Sequence, residues 1–157
     1  MTLDGGIECF ACLLDNHPDD EEIVKTCGQC LQQILKLLFF QQIVINMIEK
    51  TIPAKAVEVI EFKDDQGTGT SEKNVELYLD ILARLCWKVP EFDKFYEQGV
   101  PKMVSKKLAE CLTIEWDNHT DAQKKMTELY IRLAAGIASK LLLTFRKHQR
   151  YEQASRD

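Results

Sequence analysis

Four cysteines carry the first candidate chemistry of this chain. Cys9 and Cys12 form one Cys-x-x-Cys pair and Cys27 and Cys30 another, with fourteen residues between the pairs. Four thiolates at that spacing suit tetrahedral zinc. Cysteines at i and i+3 share one side of a helix, so two facing helices can bring all four to one ion. The same residues have a second meaning. A free cysteine behaves as a small hydrophobe, and Cys27 shares an apolar stripe with Leu31 and Ile34, with Cys30 one turn from it. Structural zinc replaces a core that a very short chain cannot build, and this chain has apolar residues throughout. Thiols filling core or half-buried space are therefore the favoured reading, with zinc at Cys9, Cys12, Cys27 and Cys30 as the alternative. Cys27-Gly28-Gln29-Cys30 also fits a redox spacing, but thioredoxin-like chemistry expects that motif after a strand, and helix signals precede it here. Cys86 and Cys111 stand alone and read as core.

No other set of residues composes a reaction centre. His17, His119 and His148 lie in turns or near the C-terminus, where exposed positions are expected. None is spaced with a cysteine or carboxylate as a nucleophile and its base would be. Asp19, Asp20, Glu21 and Glu22 lack the alternation and central glycine of a calcium loop, and helix capping explains them. Gly67-Thr68-Gly69-Thr70 lacks the Gly-Lys-Ser/Thr run of a phosphate cradle. A non-enzymatic protein is expected. A helical enzyme is the third alternative and would need a pocket with perturbed ionisable groups.

The elements that would position these residues read as helices. Leu3, Ile7, Phe10 and Leu14 recur at helical spacing, and the HPDD stretch, 17–20, breaks the pattern. Asp19 or Asp20 can cap the next helix, with acids in its first turn opposing the positive end of the macrodipole. That helix carries Ile23, Val24, Cys27, Leu31, Ile34, Leu35 and Leu38. A further segment, 39–49, shows Phe40, Ile43, Val44, Met47 and Ile48. Pro53 is expected to start a new helix, because its missing N–H costs nothing in the first turn. After a polar loop at 63–73, Val75, Tyr78, Leu79, Leu82, Ala83 and Cys86 form a stripe of helical period. Phe92, Phe95 and Tyr96 form a short aromatic helix, Gly99-Val100-Pro101 separates it from the next, and DNHTD, 117–121, is a turn. The last helix is expected from about Ala122 to at least Phe145, with Met126, Leu129, Tyr130, Leu133, Ala134 and Ile137 inward.

The 157 residues suit one compact domain, and 45% hydrophobic with 29% charged residues opposes disorder. A formal net charge of −5 disfavours nucleic-acid binding. MTLDGGIECF lacks the basic start of a signal peptide, and ILKLLFFQQIVINMI is broken by Lys36, Gln41, Gln42 and Asn46, so no membrane segment is expected. The expected setting is cytoplasmic or nuclear.

Three helical openings, at Gly6-Ile7, Ile52-Pro53 and Gly99-Val100-Pro101, lie 45 and 48 residues apart, close to the period of helical repeats. GGIECFACLLDNHPDDEEIVKTCGQCLQQILKL resembles an armadillo repeat: a glycine-led short helix, a Leu-Leu end, a polar turn and a long amphipathic helix. YEQGVPKMVSKKL resembles the join between two such repeats, and HEAT arrays share these features. The resemblance implies an all-α fold, a short right-handed α-solenoid of about three stacked units at 3–50, 51–98 and 99–148, with a flexible loop at 63–73 and a frayed tail at 149–157. It further implies a scaffold, adaptor or regulatory subunit that binds another protein without a cofactor. A homo-oligomer through exposed repeat ends is a second possibility. Armadillo proteins line a groove with long third helices whose asparagine holds an extended peptide. The matching stretches here, LQQIL at 31–35, LARLC at 82–86 and RLAAG at 132–136, carry no such asparagine. Partner-binding candidates are the aromatics Trp87, Phe92, Tyr96 and Trp116 and the lysines Lys102 and Lys106. Each has a plainer reading, as a core cap or as a solvated face.

Overall fold

The computed structural model describes residues 3–37, 42–89 and 93–156, with side chains from residue 5 onward. Their helices are α1 Leu3–Asn16, α2 Glu21–Leu37, α3 Gln42–Glu61, α4 Glu72–Lys88, α5 Asp93–Glu97, α6 Val100–Cys111 and α7 Asp121–Arg156. A 3-10 turn at Trp116–Asn118 lies before α7. Among the described residues there is no strand, only an isolated antiparallel bridge between Lys63 and Gly69. The chain is all-α, as expected. Leu38, Phe40 and Phe92 fall outside the described residues.

Contacts between helices run in two rows. α1, α3 and α6 adjoin in that order, as do α2, α4 and α7, and the rows meet through α1 with α2, α3 with α4 and α6 with α7. Apolar side chains between the rows form one core, with Leu31, Leu35, Ile48, Ile52, Tyr78, Leu82, Leu85, Phe95 and Leu133 fully enclosed.

Local chemistry sets the starts of α2, α4, α6 and α7. Asp20 Oδ1 accepts from the amides of Glu22 and Ile23, each at 3.1 Å, and caps α2. Ser71 caps α4 through the amide of Asn74. Thr120 and Gln123 form a capping box at α7: Gln123 N–H donates to Thr120 Oγ1 and Thr120 N–H donates to Gln123 Oε1. Gly99, at φ +80°, supplies the left-handed residue between α5 and α6, and Pro101 sits in the first turn of α6. The 63–73 loop is internally bonded. Asp64 Oδ1 accepts from the amides of Gln66 and Thr68, and Gly67 takes a φ of +80° at the tip.

Pro53 corrects one expectation. It starts no helix but lies inside α3, which runs unbroken from Gln42 to Glu61 and so spans positions 50 and 51, placed in different units by the repeat division. Proline inside a helix removes the donor that would meet the carbonyl four residues earlier, here that of Glu49. Gln98 substitutes for it. Its Nε2 donates to the Glu49 carbonyl, and its Oε1 accepts from the amide of Ala54 at 3.0 Å. Glutamine carries both a donor and an acceptor on one amide, so a single side chain mends both faces of the break. The last helix, expected to reach at least Phe145, runs to Arg156 and so through positions 149–156 of the tail expected to fray.

Helices α2 and α4 approach closely at Gly28. A Cβ there would lie 2.6 Å from Leu77 Cδ2 and 2.9 Å from Tyr78 Cε2. The Tyr78 hydroxyl donates to the Val24 carbonyl at 2.8 Å. At the helix starts, the Glu21 carboxylate accepts from the Ser71 amide at 2.9 Å and the Ser71 hydroxyl at 2.8 Å, and the Asn74 side chain donates to the same carboxylate. One acid of α2 thus sits at the positive end of α4.

Candidate functional site

The six cysteines are all free. Cys27 and Cys86 are buried, as the apolar reading expects, and burial raises both thiol pKa values, with the neighbouring Cys30 and Cys9 adding to the effect at Cys27. Cys111 is half-buried. Cys9, Cys12 and Cys30 are exposed, a correction to their expected place in or beside the core. The reason is position on the helix: Val24, Cys27, Leu31 and Leu35 take the face of α2 turned to its neighbours, and Cys30 falls beside it. Among the described residues no group of three or more His, Cys, Asp or Glu side chains is placed to hold a metal ion.

His119 corrects a second expectation. It is not an exposed turn residue but is buried, with Nε2 3.0 Å from the Cys111 carbonyl. A carbonyl only accepts, so Nε2 carries the proton, and the buried Nδ1 has no hydrogen-bond partner. His119 packs edge-on to Trp116, ring centroids 5.4 Å apart, and the Lys124 ammonium lies 5.7 Å from the centre of the indole. Trp116 therefore closes the α6–α7 connection while leaving 44% of its surface exposed.

The other aromatic candidates differ. Trp87 ends α4 with its indole against Gly136 of α7, yet is 62% exposed. The points where Trp87 and Trp116 meet α7 are twelve residues apart, about 18 Å along the helix, so the two tryptophans do not form one patch. Tyr96 lies exposed on α5, beside the fully buried Phe95. Lys102 and Lys106 stand one turn apart on the exposed side of α6.

An open apolar surface lies along the side of α7 opposite the inward residues that the sequence singles out. α7 packs on α4 and α6 through Thr127, Tyr130, Leu133, Gly136 and Ile137, and no described residue beyond Ile137 is buried. Lys140 makes the last tie to the body, donating to the Val89 carbonyl at 2.6 Å. Along the outer side run Ile131, Ala135, Ala138, Leu142 and Phe145, all exposed, at alternating spacings of four and three. Ile131, Leu142 and Phe145 each expose half or more of their surface. Leu141 and Leu143 are also exposed beside the stripe. The 4-3-4-3 spacing was legible in the sequence, but it blends there with the inward stripe, because both repeat at helical period.

Charge is concentrated on the same helix. Between Glu128 and Glu152 there is no acid, while Arg132, Lys140, Arg146, Lys147 and Arg150 contribute five positive charges, leaving −10 on the rest of the chain. None of Arg132, Arg146, Lys147 or Arg150 forms an ion pair among the described residues. The ion pairs that do form lie elsewhere, as between Lys55 and Asp15 at 2.6 Å, Arg84 and Asp80 at 2.7 Å and Lys125 and Glu76 at 3.0 Å.

No helix among the described residues is long and apolar enough to cross a membrane. Compared with protein-family models, curated proteins and solved structures, the chain matches none.

Proposed function

We propose that this chain is a non-enzymatic protein-interaction module, a short right-handed solenoid of armadillo-like or HEAT-like type acting as a scaffold, adaptor or regulatory subunit in the cytoplasm or nucleus. The observation that carries the proposal is the outward stripe of α7, where five apolar residues in helical register face solvent next to unpaired cations. Contiguous apolar surface of this kind on a soluble body marks an interaction site. The two-row helix arrangement supports the solenoid reading. The stretches at 31–35, 82–86 and 132–136, which resemble groove-lining parts of armadillo repeats, lie on α2, α4 and α7, the three members of one row. Trp87 adds an exposed indole where α4 meets α7.

The test is affinity capture with the full chain, followed by hydrogen exchange on each captured complex. A protected face on the module is the expected result. Absence of protection anywhere on the chain, with every captured protein, removes the proposal.

A further inference from the structure

We propose that the Ile131–Phe145 stripe of α7 is the seat for an amphipathic helix with acidic flanks, supplied by another protein. This rests on the interaction-module reading and names the partner's chemistry.

Three features select that occupant. The first is the period. Spacings of four and three are those of a seam that pairs with another helix, and the apolar Ala134 and Leu141 widen one of its edges. The second is shape. The order along the seam is large, small, small, large, large: Ile131, Ala135, Ala138, Leu142, Phe145. The two alanines leave a depression between Ile131 and Leu142 that a leucine from a facing helix can fill as a knob. A bilayer gains little from exposed alanine, because interfacial binding scales with buried apolar area.

The third feature is charge. In the register of the seam, Arg132, Ser139 and Arg146 flank one edge and Ala134, Leu141 and His148 the other. Unpaired guanidinium groups on one edge call for carboxylates opposite. A second copy of this chain does not supply them. Paired antiparallel about Ala135 and Ala138, the edge bearing Arg132, Ser139 and Arg146 meets the same cationic edge of the copy; paired parallel, it meets the edge bearing Ala134, Leu141 and His148. An anionic membrane is opposed by the −10 carried by the remainder of the molecule.

The probe is a synthetic four-turn helical peptide with leucine at its seam positions and glutamate at its flanks, titrated against the full chain. Its control carries lysine at the flanks instead. The glutamate peptide is expected to bind at least about tenfold more tightly than the lysine peptide, and to weaken as salt rises. Leu142→Glu and Phe145→Glu are each expected to weaken it by about tenfold or more. Both side chains are exposed, so helicity by circular dichroism stays at the native level. Joint replacement Arg132→Glu and Arg146→Glu is expected to reverse the preference between the two peptides.

Equal binding of the two peptides overturns the proposal, as does failure of the glutamate peptide to bind. So does a wild-type dimer in light scattering that Leu142→Glu dissolves, or tighter binding to phosphatidylserine–phosphatidylcholine vesicles than to the peptide. If the peptide fails while a captured protein protects another face, this seat falls and the interaction module stands. If no captured protein protects any face, both fall.

Discussion

Helices α4 and α7 are written in similar letters. α4 carries Val75, Tyr78, Leu79, Leu82, Leu85 and Cys86, and all are buried. α7 carries Ile131, Ala135, Ala138, Leu142 and Phe145 in comparable register, and all are exposed. The difference lies in their neighbours. α4 touches α2, α3 and α7, so nearly every side of it meets another helix, whereas α7 buries no described side chain beyond Ile137 and makes its last hydrogen bond to the body at Lys140. Amphipathic spacing makes a helix need a neighbour but does not say whether that neighbour is in the same chain. In α4 the need is met internally. In α7 it is left open, and basic residues rather than mixed charges surround the opening.

The comparison breaks most sharply at single side chains. Tyr78→Ala removes a fully buried ring together with its bond to the Val24 carbonyl. It is expected to cost about 3–5 kcal/mol in urea unfolding, enough to unfold many small domains. Phe145→Ala deletes a ring of similar size from α7 and is expected to change stability by less than about 0.5 kcal/mol. Equal losses at the two sites would mean that α7 is packed in solution.

Gln98 is the next largest expected effect. Gln98→Leu leaves the Glu49 carbonyl and the Ala54 amide without their side-chain partner next to Pro53. A loss of about 2 kcal/mol is expected. Combining it with Pro53→Ala should restore much of the loss, because alanine returns the amide that proline lacks. A double-mutant cycle measures that coupling.

Alkaline pH separates the enclosed side from the open one more gently. Burial raises the pKa values of Cys27, Cys86, Tyr78 and Tyr130. In the unfolded chain the thiols release protons from about pH 9 upward, while the folded state still holds them. The unfolded state then binds fewer protons, so stability falls as pH rises. The limiting slope is about 1.4 kcal/mol per pH unit for each buried group. Urea midpoints measured from neutral pH to pH 10 are expected to be flat at first and then decline.

Thiol labelling gives the smallest perturbation and the sharpest map. Cys9, Cys12 and Cys30 are expected to react in the native protein, Cys27 and Cys86 only after denaturation, and Cys111 at an intermediate rate. Slow labelling of the first three would sink the placement of the α1 and α2 outer faces.

Some of this fold was legible residue by residue. Asp20 and Gly99 act through chemistry within a turn or two of themselves, so their roles can be read locally. Pro53 could not be read that way. Nearby residues point to a helix start, whereas Gln98, which follows it by 45 positions, bonds the backbone on both sides of Pro53 within an unbroken α3. His119 looked like a turn residue because its neighbours are polar, but the Cys111 carbonyl and Trp116 enclose it. Gly28 read as part of a cysteine motif, and its use is the close passage of α4. The exposed seam of α7 was present as spacing, yet nothing in the spacing distinguished it from the buried side.

The order of residues alone is enough to make this protein helical, to place most of its helix starts, and to give it more apolar surface than isolated helices can leave in water. These follow from periodicity, capping and backbone sterics, which act over a few residues. Which apolar faces are covered, how the break at Pro53 is mended and which thiols reach solvent are settled by the packing of helices against one another. Those outcomes depend on groups brought together from distant parts of the chain, and a face is buried only when another surface of matching shape lies against it.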